Sequence, residues 1–408
     1  MLGAIIGDII GSRFEFDNHR SKDFELFTND TFITDDTVMT LAVAKALLTV
    51  KETTQASNAP ESFSYLNHLE KVSEYTIKFM QEYGKHYPDL SYGNRFKEWL
   101  KSSEPKPYNS YGNGAAMRVS SVAYVAKTLE EVITLSHAVT NITHNHPEGI
   151  KGAEAVAVAI FMALNDATMS EIEAMMSCYY TIPKDIDELR KTYEYNETSQ
   201  DTVPAAIAAF LESHSFEDAV RNAISIGGDS NTLAAITGSI AEAYYGIPQS
   251  IKEKAFSYLD ERLGNDYESF RKVFIKNSNN DFKVLTKYLK RMNMISNRQS
   301  ITNMRIANLY YTKDYIDEVS KACIKDIVSF IKGHKEFEKA NDYKRTLKEY
   351  QIIYDVNTVH KLDISRLDTL GILTLLVTST RMQYWFMGSF REVIASKTIE
   401  QWLKRLAE

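Results

Sequence analysis

Apolar residues recur along most of this chain at the spacing of an α-helix. Segments 38–48 and 152–162 are rich in alanine and apolar on most faces, which is typical of helices in the middle of a bundle. Strand-like alternation is hard to find. Further helical patterns cover 64–83, 115–127, 130–141, 203–213, 216–226, 232–245 and 248–262. We therefore predict an all-α protein.

Helical patterns return in the last third of the chain, after a polar stretch at 277–280. They cover 281–296, 314–332, 336–350, 366–380 and 387–406. A chain of 408 residues is long enough for more than one domain. We predict a large domain over residues 1–263, a partly helical linker over 264–299 and a small, mostly helical domain over 300–408.

The formal charge changes sign near the predicted domain boundary. Residues 264–408 carry 25 Lys and Arg against 17 Asp and Glu, a charge of +8, whereas residues 1–263 carry −15. The acidic part is therefore not a general nucleic-acid binder. The basic part leaves two interpretations open: it binds a nucleic acid or an acidic protein, or it is a solvated helical surface.

Cysteine usage and hydropathy indicate the compartment. Cys178 and Cys323 are the two cysteines, and neither lies in a CxxC or zinc-type spacing, which favours a reducing environment. The apolar start of the chain lacks a basic leader, and no run reaches the roughly 18–20 apolar residues of a membrane span. We expect a cytoplasmic protein without a membrane partner.

Two clusters of short, oxygen-bearing side chains stand at the starts of apolar helices. Residues 34–37 read Thr-Asp-Asp-Thr, and residues 227–232 read Gly-Gly-Asp-Ser-Asn-Thr. One residue suffices to cap a helix, so adjacent carboxylates exceed what capping requires. Hard cations such as Mg²⁺ take carboxylate and hydroxyl oxygens. Each cluster is either a cap or part of a metal site, and spacing alone does not bring the two together.

Three further segments complete a pattern. They are Gly-Asp-Ile-Ile-Gly-Ser-Arg-Phe-Glu-Phe at 7–16, Tyr-Asn-Ser-Tyr-Gly-Asn-Gly-Ala-Ala-Met-Arg at 108–118 and Thr-His-Asn-His-Pro at 143–147. Together with the oxygen clusters, in this order, they resemble the motifs of the ADP-ribosylglycohydrolase family. In that family the motifs are a glycine-rich helix ending at a glutamate, a loop that approaches the diphosphate and a threonine-histidine segment. The resemblance covers residues 1 to about 263.

The resemblance implies an orthogonal multi-helix bundle with two Mg²⁺ or Mn²⁺ ions, or one. It implies an enzyme that hydrolyses the glycosidic bond between ADP-ribose and a protein side chain, a nucleic acid or a small molecule. By position, it implies Glu15, Asp35 and Asp36 as catalytic residues, Gly112, Asn113, Gly114, Met117 and His144 as ADP-ribose-binding residues, and Thr34, Asp35, Asp36, Asp229, Asn231 and Thr232 as metal ligands. Without it, Glu15 would be a paired or capping glutamate, and the glycine loop an ordinary turn.

Asn231 departs from the family's usual second metal motif, Gly-Gly-Asp-x-Asp-Thr. Asparagine offers a carbonyl oxygen but no negative charge, so metal affinity should fall. Three interpretations remain open: one well-held ion with residual activity, two ions of reduced affinity, or a module that binds ADP-ribose without cleaving it. A relative that retains only the fold is a fourth.

Overall fold

The computed structural model describes residues 1–55, 63–275, 282–289, 291, 313–355, 358–385, 390, 393–394 and 396–407. The chain divides into two compact units, Met1–Asn279 and Asn280–Glu408. Within the described ranges every regular element is helical, and the one β-type pairing is an isolated bridge between Gly112 and Thr198. The prediction of an all-α fold is confirmed. None of the described helices has the length and hydropathy needed to span a membrane.

The first unit is a bundle of α-helices joined by short loops and 3₁₀ turns. In chain order its α-helices are α1 Leu2–Gly11, α2 Asp35–Gln55, α3 Leu69–His86, α4 Asn94–Lys101, α5 Gly114–Arg118, α6 Val122–Val125, α7 Leu129–Thr140, α8 Pro147–Leu164, α9 Met169–Tyr179, α10 Ile186–Thr192, α11 Ser199–Leu211, α12 Phe216–Ser225, α13 Ser230–Tyr245, α14 Gln249–Phe256 and α15 Glu261–Phe274.

Helix α13 lies at the centre of this unit and packs against α1, α8, α11 and α12. The contact with α1 is the closest, because Gly3, Gly7 and Gly11 recur every four residues along one face of α1. A Cβ atom on Gly7 would lie 2.0 Å from the carbonyl oxygen of Ala234, and one on Gly11 would lie 2.6 Å from Cα of Asn231. The glycines therefore let the end of α1 lie directly beside the start of α13.

The predicted end of the first domain, at residue 263, needs correction. It falls inside α15, and Asp266 on that helix accepts hydrogen bonds from Lys45 Nζ, at 2.7 Å, and from the Tyr83 hydroxyl. The predicted helix at 248–262 is in fact two helices, since the Asp260 side chain accepts from Leu263 N at 2.9 Å and starts α15 anew. The first unit therefore continues to Asn279.

The second unit is also helical where the structure describes it. Its α-helices are α16 Lys283–Thr286, α17 Lys313–Gly333, α18 Tyr343–Glu349, α19 Thr369–Trp385 and α20 Thr398–Ala407. The predicted single helix at 336–350 is wrong in part, because a 3₁₀ helix at Lys335–Asn341 precedes α18. Residues 276–281, 290 and 292–312 lie outside the described residues, and these include part of the predicted linker at 264–299.

Candidate active site

Asp8 joins α1 to the start of α2. The residue is fully buried, and its carboxylate accepts four hydrogen bonds. The backbone amides of Thr34 and Thr37 donate at 2.9 and 3.1 Å, and their hydroxyls donate at 2.6 and 2.5 Å. Asp8 thus caps α2 from a neighbouring helix. As a result, the carboxylates of Asp35 and Asp36 are not needed as caps.

The glycine pair before α13 makes the turn that aims Asp229. Gly227 and Gly228 have φ values of 78° and 70°, a left-handed conformation that glycine adopts without strain. The Asn18 side chain accepts from Gly228 N at 3.1 Å and so holds the turn. Asp229 then accepts a 2.7 Å hydrogen bond from Asn113 Nδ2, which connects it to the glycine loop.

Two hydrogen bonds connect the two oxygen clusters, although roughly 200 residues separate them in sequence. Thr232 Oγ1 donates to Asp36 Oδ2 at 3.0 Å, and Asn231 Nδ2 donates to Thr34 Oγ1 at 3.2 Å. The starts of α2 and α13 therefore face each other. The structure thus brings both clusters to one place, which the sequence spacing alone did not do.

The clusters form one wall of a cleft of about 340 Å³, within the range of small-ligand pockets. Eleven of the residues implied by sequence line it: Glu15, Asp35, Asp36, Gly112, Asn113, Gly114, Met117, His144, Asp229, Asn231 and Thr232. Thr34 does not line the cleft. It is 1% exposed and lies behind Asp36, with its hydroxyl engaged by Asp8 and by Asn231.

The glycine loop is held by the segment before α11. Glu197 O accepts from Asn113 N at 2.7 Å, and Ser199 Oγ donates to Gly112 O at 2.8 Å. These bonds and the bridge between Gly112 and Thr198 fix the loop. Asn113 immediately precedes α5, so the first amides of that helix, from Gly114 onward, have no acceptor from an earlier helical turn.

His144 adds a polar group beside the loop. Its Nδ1 lies 2.7 Å from Thr143 Oγ1, and that hydroxyl also accepts from Arg118 Nη2 at 2.7 Å. Burial holds the pKa of His144 well below its usual value, so the ring is neutral. Thr143 Oγ1 also donates to Thr140 O at 3.4 Å, so Nδ1 can face this hydroxyl in either tautomer of the neutral ring. A Cβ on Gly112 would lie 3.7 Å from His144 Nε2.

The site also contains residues that were not among those predicted, including Asp8, Arg118, Tyr195 and Glu197. Arg118 is 2% exposed and lines the cleft. Burial lowers its pKa to about 10, so the guanidinium stays charged at neutral pH. Tyr195 and Glu197 line the mouth, where the Tyr195 hydroxyl donates to Glu197 Oε1 at 2.8 Å. The sequence gave a signal for two of these four residues: Arg118 closes the glycine-loop motif at 108–118, and Asp8 is the one acidic residue in the apolar run 2–11.

The carboxylates crowd one poorly hydrated space. Burial, followed by the charge of Asp229, raises the pKa of Glu15 to about 8. Burial, followed by the charge of Asp8, raises the pKa of Asp35 to about 7 and that of Asp36 well above its usual value. Burial also raises the pKa of Asp229 to about 6. Such crowding of like charges is relieved by a bound cation.

The donor set suits an ion that keeps water ligands. In the part of the chain that the structure describes, no three His, Cys, Asp or Glu side chains form a ready cage. Asp36 and Asp229 lie beside the Thr232 hydroxyl and the buried Asn231 Oδ1, which has no hydrogen-bond partner. Mg²⁺ commonly takes one or two carboxylates and completes its shell with water and neutral oxygens. The residues present therefore fit such an ion.

Without divalent ions, we expect the free energy of unfolding to fall as pH rises from about 4 to about 8. The raised pKa values of Asp35, Asp229 and Glu15 mean that the folded state binds more protons than the unfolded chain in this window. This stability is complete below the ordinary carboxyl pKa, near 4, and is lost as pH passes the folded values. Urea unfolding with chelator should show a decrease on the order of 1 kcal/mol or more between about pH 5 and pH 8.

Saturating Mg²⁺ should restore the lost stability at the higher pH, because the ion neutralises the carboxylates. The Asp36→Asn variant in chelator is the matched control and should show a weaker pH dependence. A wild-type stability that rises between the two pH values in chelator would contradict the arrangement of charges.

Comparison with known proteins identifies the family. The family model for ADP-ribosylglycohydrolase matches residues 1–280. The chain is 25% identical to ADP-ribosylhydrolase ARH3 of Mus musculus over 326 residues, covering 61% of this chain and 83% of that protein. It is 24% identical to ADP-ribosylarginine hydrolase Tri1 of Pseudomonas putida over 302 residues, covering 65% of this chain and 76% of the relative.

A solved structure of an ADP-ribosylglycohydrolase-related protein complex is also similar, with a TM-score of 0.47 and 20% identity over 67% of this chain and 96% of that one. The family match itself covers more than half of the sequence and ends at residue 280, one residue after the first unit ends. The chain belongs to the ADP-ribosylglycohydrolase family.

Proposed function

We propose that this protein hydrolyses the glycosidic bond between ADP-ribose and an acceptor, assisted by Mg²⁺ or Mn²⁺. The observation that carries the proposal is the convergence of both oxygen clusters, Glu15 and the glycine loop on one cleft in a chain of this family. Each part matches a need of the reaction: a cation beside the ribose, a titratable group beside the bond and donors for the diphosphate.

Hydrogen-bond donors and a positively charged side chain are available to bind the diphosphate of ADP-ribose. The amides of Gly112 and Asn113 donate to Ser110 Oγ and Glu197 O, so the amides for phosphate oxygens are those at the start of α5, from Gly114 onward. The His144 imidazole and the Arg118 guanidinium line the same cleft. Because Arg118 is buried and stays charged, it attracts an anionic ligand without competition from bulk solvent.

The ribose end needs acid–base groups, since cleavage passes through an oxocarbenium-like centre and the leaving group takes a proton. Glu15 holds a proton at neutral pH in the ion-free cleft, because burial raises its pKa to about 8. Thr232 and Asn113 hold Asp36 and Asp229 in place. A bound Mg²⁺ would orient the ribose hydroxyls and lower the pKa of a water molecule.

The test is release of ADP-ribose from arginine-, serine- and nucleic-acid-linked substrates by the full chain, with chelator and after Mg²⁺ is restored. We expect release that disappears with chelator and returns with the ion. Asn231 favours a second candidate, a module that binds ADP-ribose without cleaving it. Calorimetric binding of ADP-ribose without release would establish that module, and release that is indifferent to chelator would contradict the role of the ion.

The mouth of the cleft favours a cationic acceptor. Phe16 and Tyr195 are 78% and 44% exposed, and their rings stack with centroids 6.2 Å apart. The carboxylate of Glu197 lines the cleft beside them. A guanidinium pairs with carboxylates and stacks on aromatic faces, whereas a neutral hydroxyl gains little from either. We therefore propose an arginine-linked substrate.

Accordingly, Glu197→Gln should lower kcat/KM for an arginine-linked substrate by about tenfold, the effect of losing one charge-assisted contact. The same change should leave a serine-linked substrate nearly unaffected. Glu194→Gln is the matched control, since Glu194 is exposed in the same segment and does not line the cleft. An equal loss on both linkages would contradict recognition of a cationic acceptor.

A further inference from the structure

The orientation of the Asn231 amide is fixed by Thr34. The Thr34 hydroxyl has one hydrogen, which it donates to Asp8 Oδ1 at 2.6 Å. It also accepts a hydrogen bond from Asp36 N at 3.2 Å. Any further neighbour within hydrogen-bond distance must therefore be a donor. Asn231 Nδ2, at 3.2 Å, is that donor.

The opposite side of the same amide is an unused acceptor. Asn231 is 3% exposed, and its Oδ1 is buried without a hydrogen-bond partner among the described residues. Asn231 lines the cleft together with Asp36, Asp229 and Thr232. A buried acceptor without a partner is costly, so this oxygen is placed to receive a ligand.

An aspartate at position 231 would behave differently. It would present an oxygen to the lone pairs of Thr34 Oγ1, with no hydrogen between the two atoms. A cation between them, or a proton on the carboxyl group, would turn this repulsion into attraction. The Nδ2 hydrogen of asparagine provides this attraction to Thr34 Oγ1 without an ion.

We propose that the Asn231 amide takes the place of one divalent ion, so that this chain binds a single ion beside Asp36, Asp229 and Thr232. Asn231 contributes to that ion through Oδ1 as a neutral ligand, while Nδ2 satisfies Thr34. The inference deepens the proposed function and rests on its use of a divalent ion. It assigns Thr34 to the support of α2 rather than to the ion.

The test is the number of Mn²⁺ ions bound per full chain, measured by equilibrium dialysis with Mn²⁺ as the only added ligand. We expect one ion for the wild type and two for Asn231→Asp. Two ions in the wild type, or one in Asn231→Asp with its fold intact by circular dichroism, would overturn the inference. Thr34→Val gives a second measure: the wild-type stoichiometry of one should persist, and loss of the ion would overturn the assignment of Thr34.

The result can be separated from that of the release assay. Two ions in an active wild-type protein would contradict the inference of a single ion and leave the hydrolase proposal intact. One ion in a protein that binds but does not release ADP-ribose would support the inference and remove the hydrolase proposal.

Discussion

Replacing Asp35 and Asp36 together by asparagine is expected to lower kcat/KM for ADP-ribose release by at least about 10³. Groups of this kind, aimed at developing charge in a water-poor site, each contribute about 10²–10³ to a rate. The same variant should lose the stabilisation by Mg²⁺, which for the wild type is about 2.7 kcal/mol when the ion is at 100 times its Kd. Release assays and thermal unfolding with and without Mg²⁺ measure both effects.

The variant should still fold, and this separates it from a damaged protein. Burial, followed by the charge of Asp8, raises the pKa of both side chains, so removing the two charges relieves repulsion in the ion-free state. Asp30→Asn is the matched control, since Asp30 is exposed four residues before Thr34 and does not line the cleft. Stabilisation by Mg²⁺ that survives in the double variant would rule out these carboxylates as ligands.

Gly7→Ala is expected to destabilise the protein by about 3 kcal/mol, a large effect for one methyl group. The new Cβ would lie 2.0 Å from Ala234 O and 2.7 Å from Ala235 N. Backbone atoms of a buried helix cannot rotate away, so α1 and α13 must separate. Urea unfolding at a pH near neutral measures the loss.

The separation should also weaken ion binding, because Asp8 sits at the next position of α1 and holds the start of α2. Gly264→Ala is the matched control. A Cβ there meets nothing within 4 Å, and alanine is the better helix former, so this change should stabilise α15 by about 0.5–1 kcal/mol. Equal effects of the two substitutions would mean that α1 and α13 are not in tight contact.

The helical character of the chain could be predicted from apolar spacing, but several helix ends could not. The pattern at 115–127 predicts one helix, whereas the structure has α5, a 3₁₀ turn at Val119–Ser121 and α6. β-Branched residues and serines in that stretch have modest helix propensity, and packing decides the geometry. Helix α10 was missed because its seven residues are too few to show a period.

Some residues of the candidate site could likewise be predicted from the sequence, and others could not. Thr34, Asp35, Asp36 and Asp229 stand in short motifs that are visible in sequence. Asp8 was visible too, as the one acidic residue within the apolar run 2–11, but its role depends on hydrogen bonds from a different helix. No local sequence pattern predicts such a contact between two helices.

Tyr195 and Glu197 could not be assigned from sequence for a different reason. They lie in an irregular segment between α10 and α11, and hydrogen bonds with the glycine loop, together with the bridge between Gly112 and Thr198, hold that segment at the cleft. Segments of this kind have no period, so their positions follow from tertiary contacts alone.

The contact between α1 and α13 can form only late in synthesis of the chain. Helix α1 is almost wholly apolar and buried, and its main partner, α13, lies roughly 220 residues further along the chain. At about 5–20 residues per second, the ribosome needs roughly 10–45 s to deliver that partner. During this interval the apolar surface of α1 is without its native contact with α13. Newly made chains are therefore expected to depend on chaperones, and variants that slow the docking of α1 should reduce soluble yield more than they reduce the stability of the finished protein.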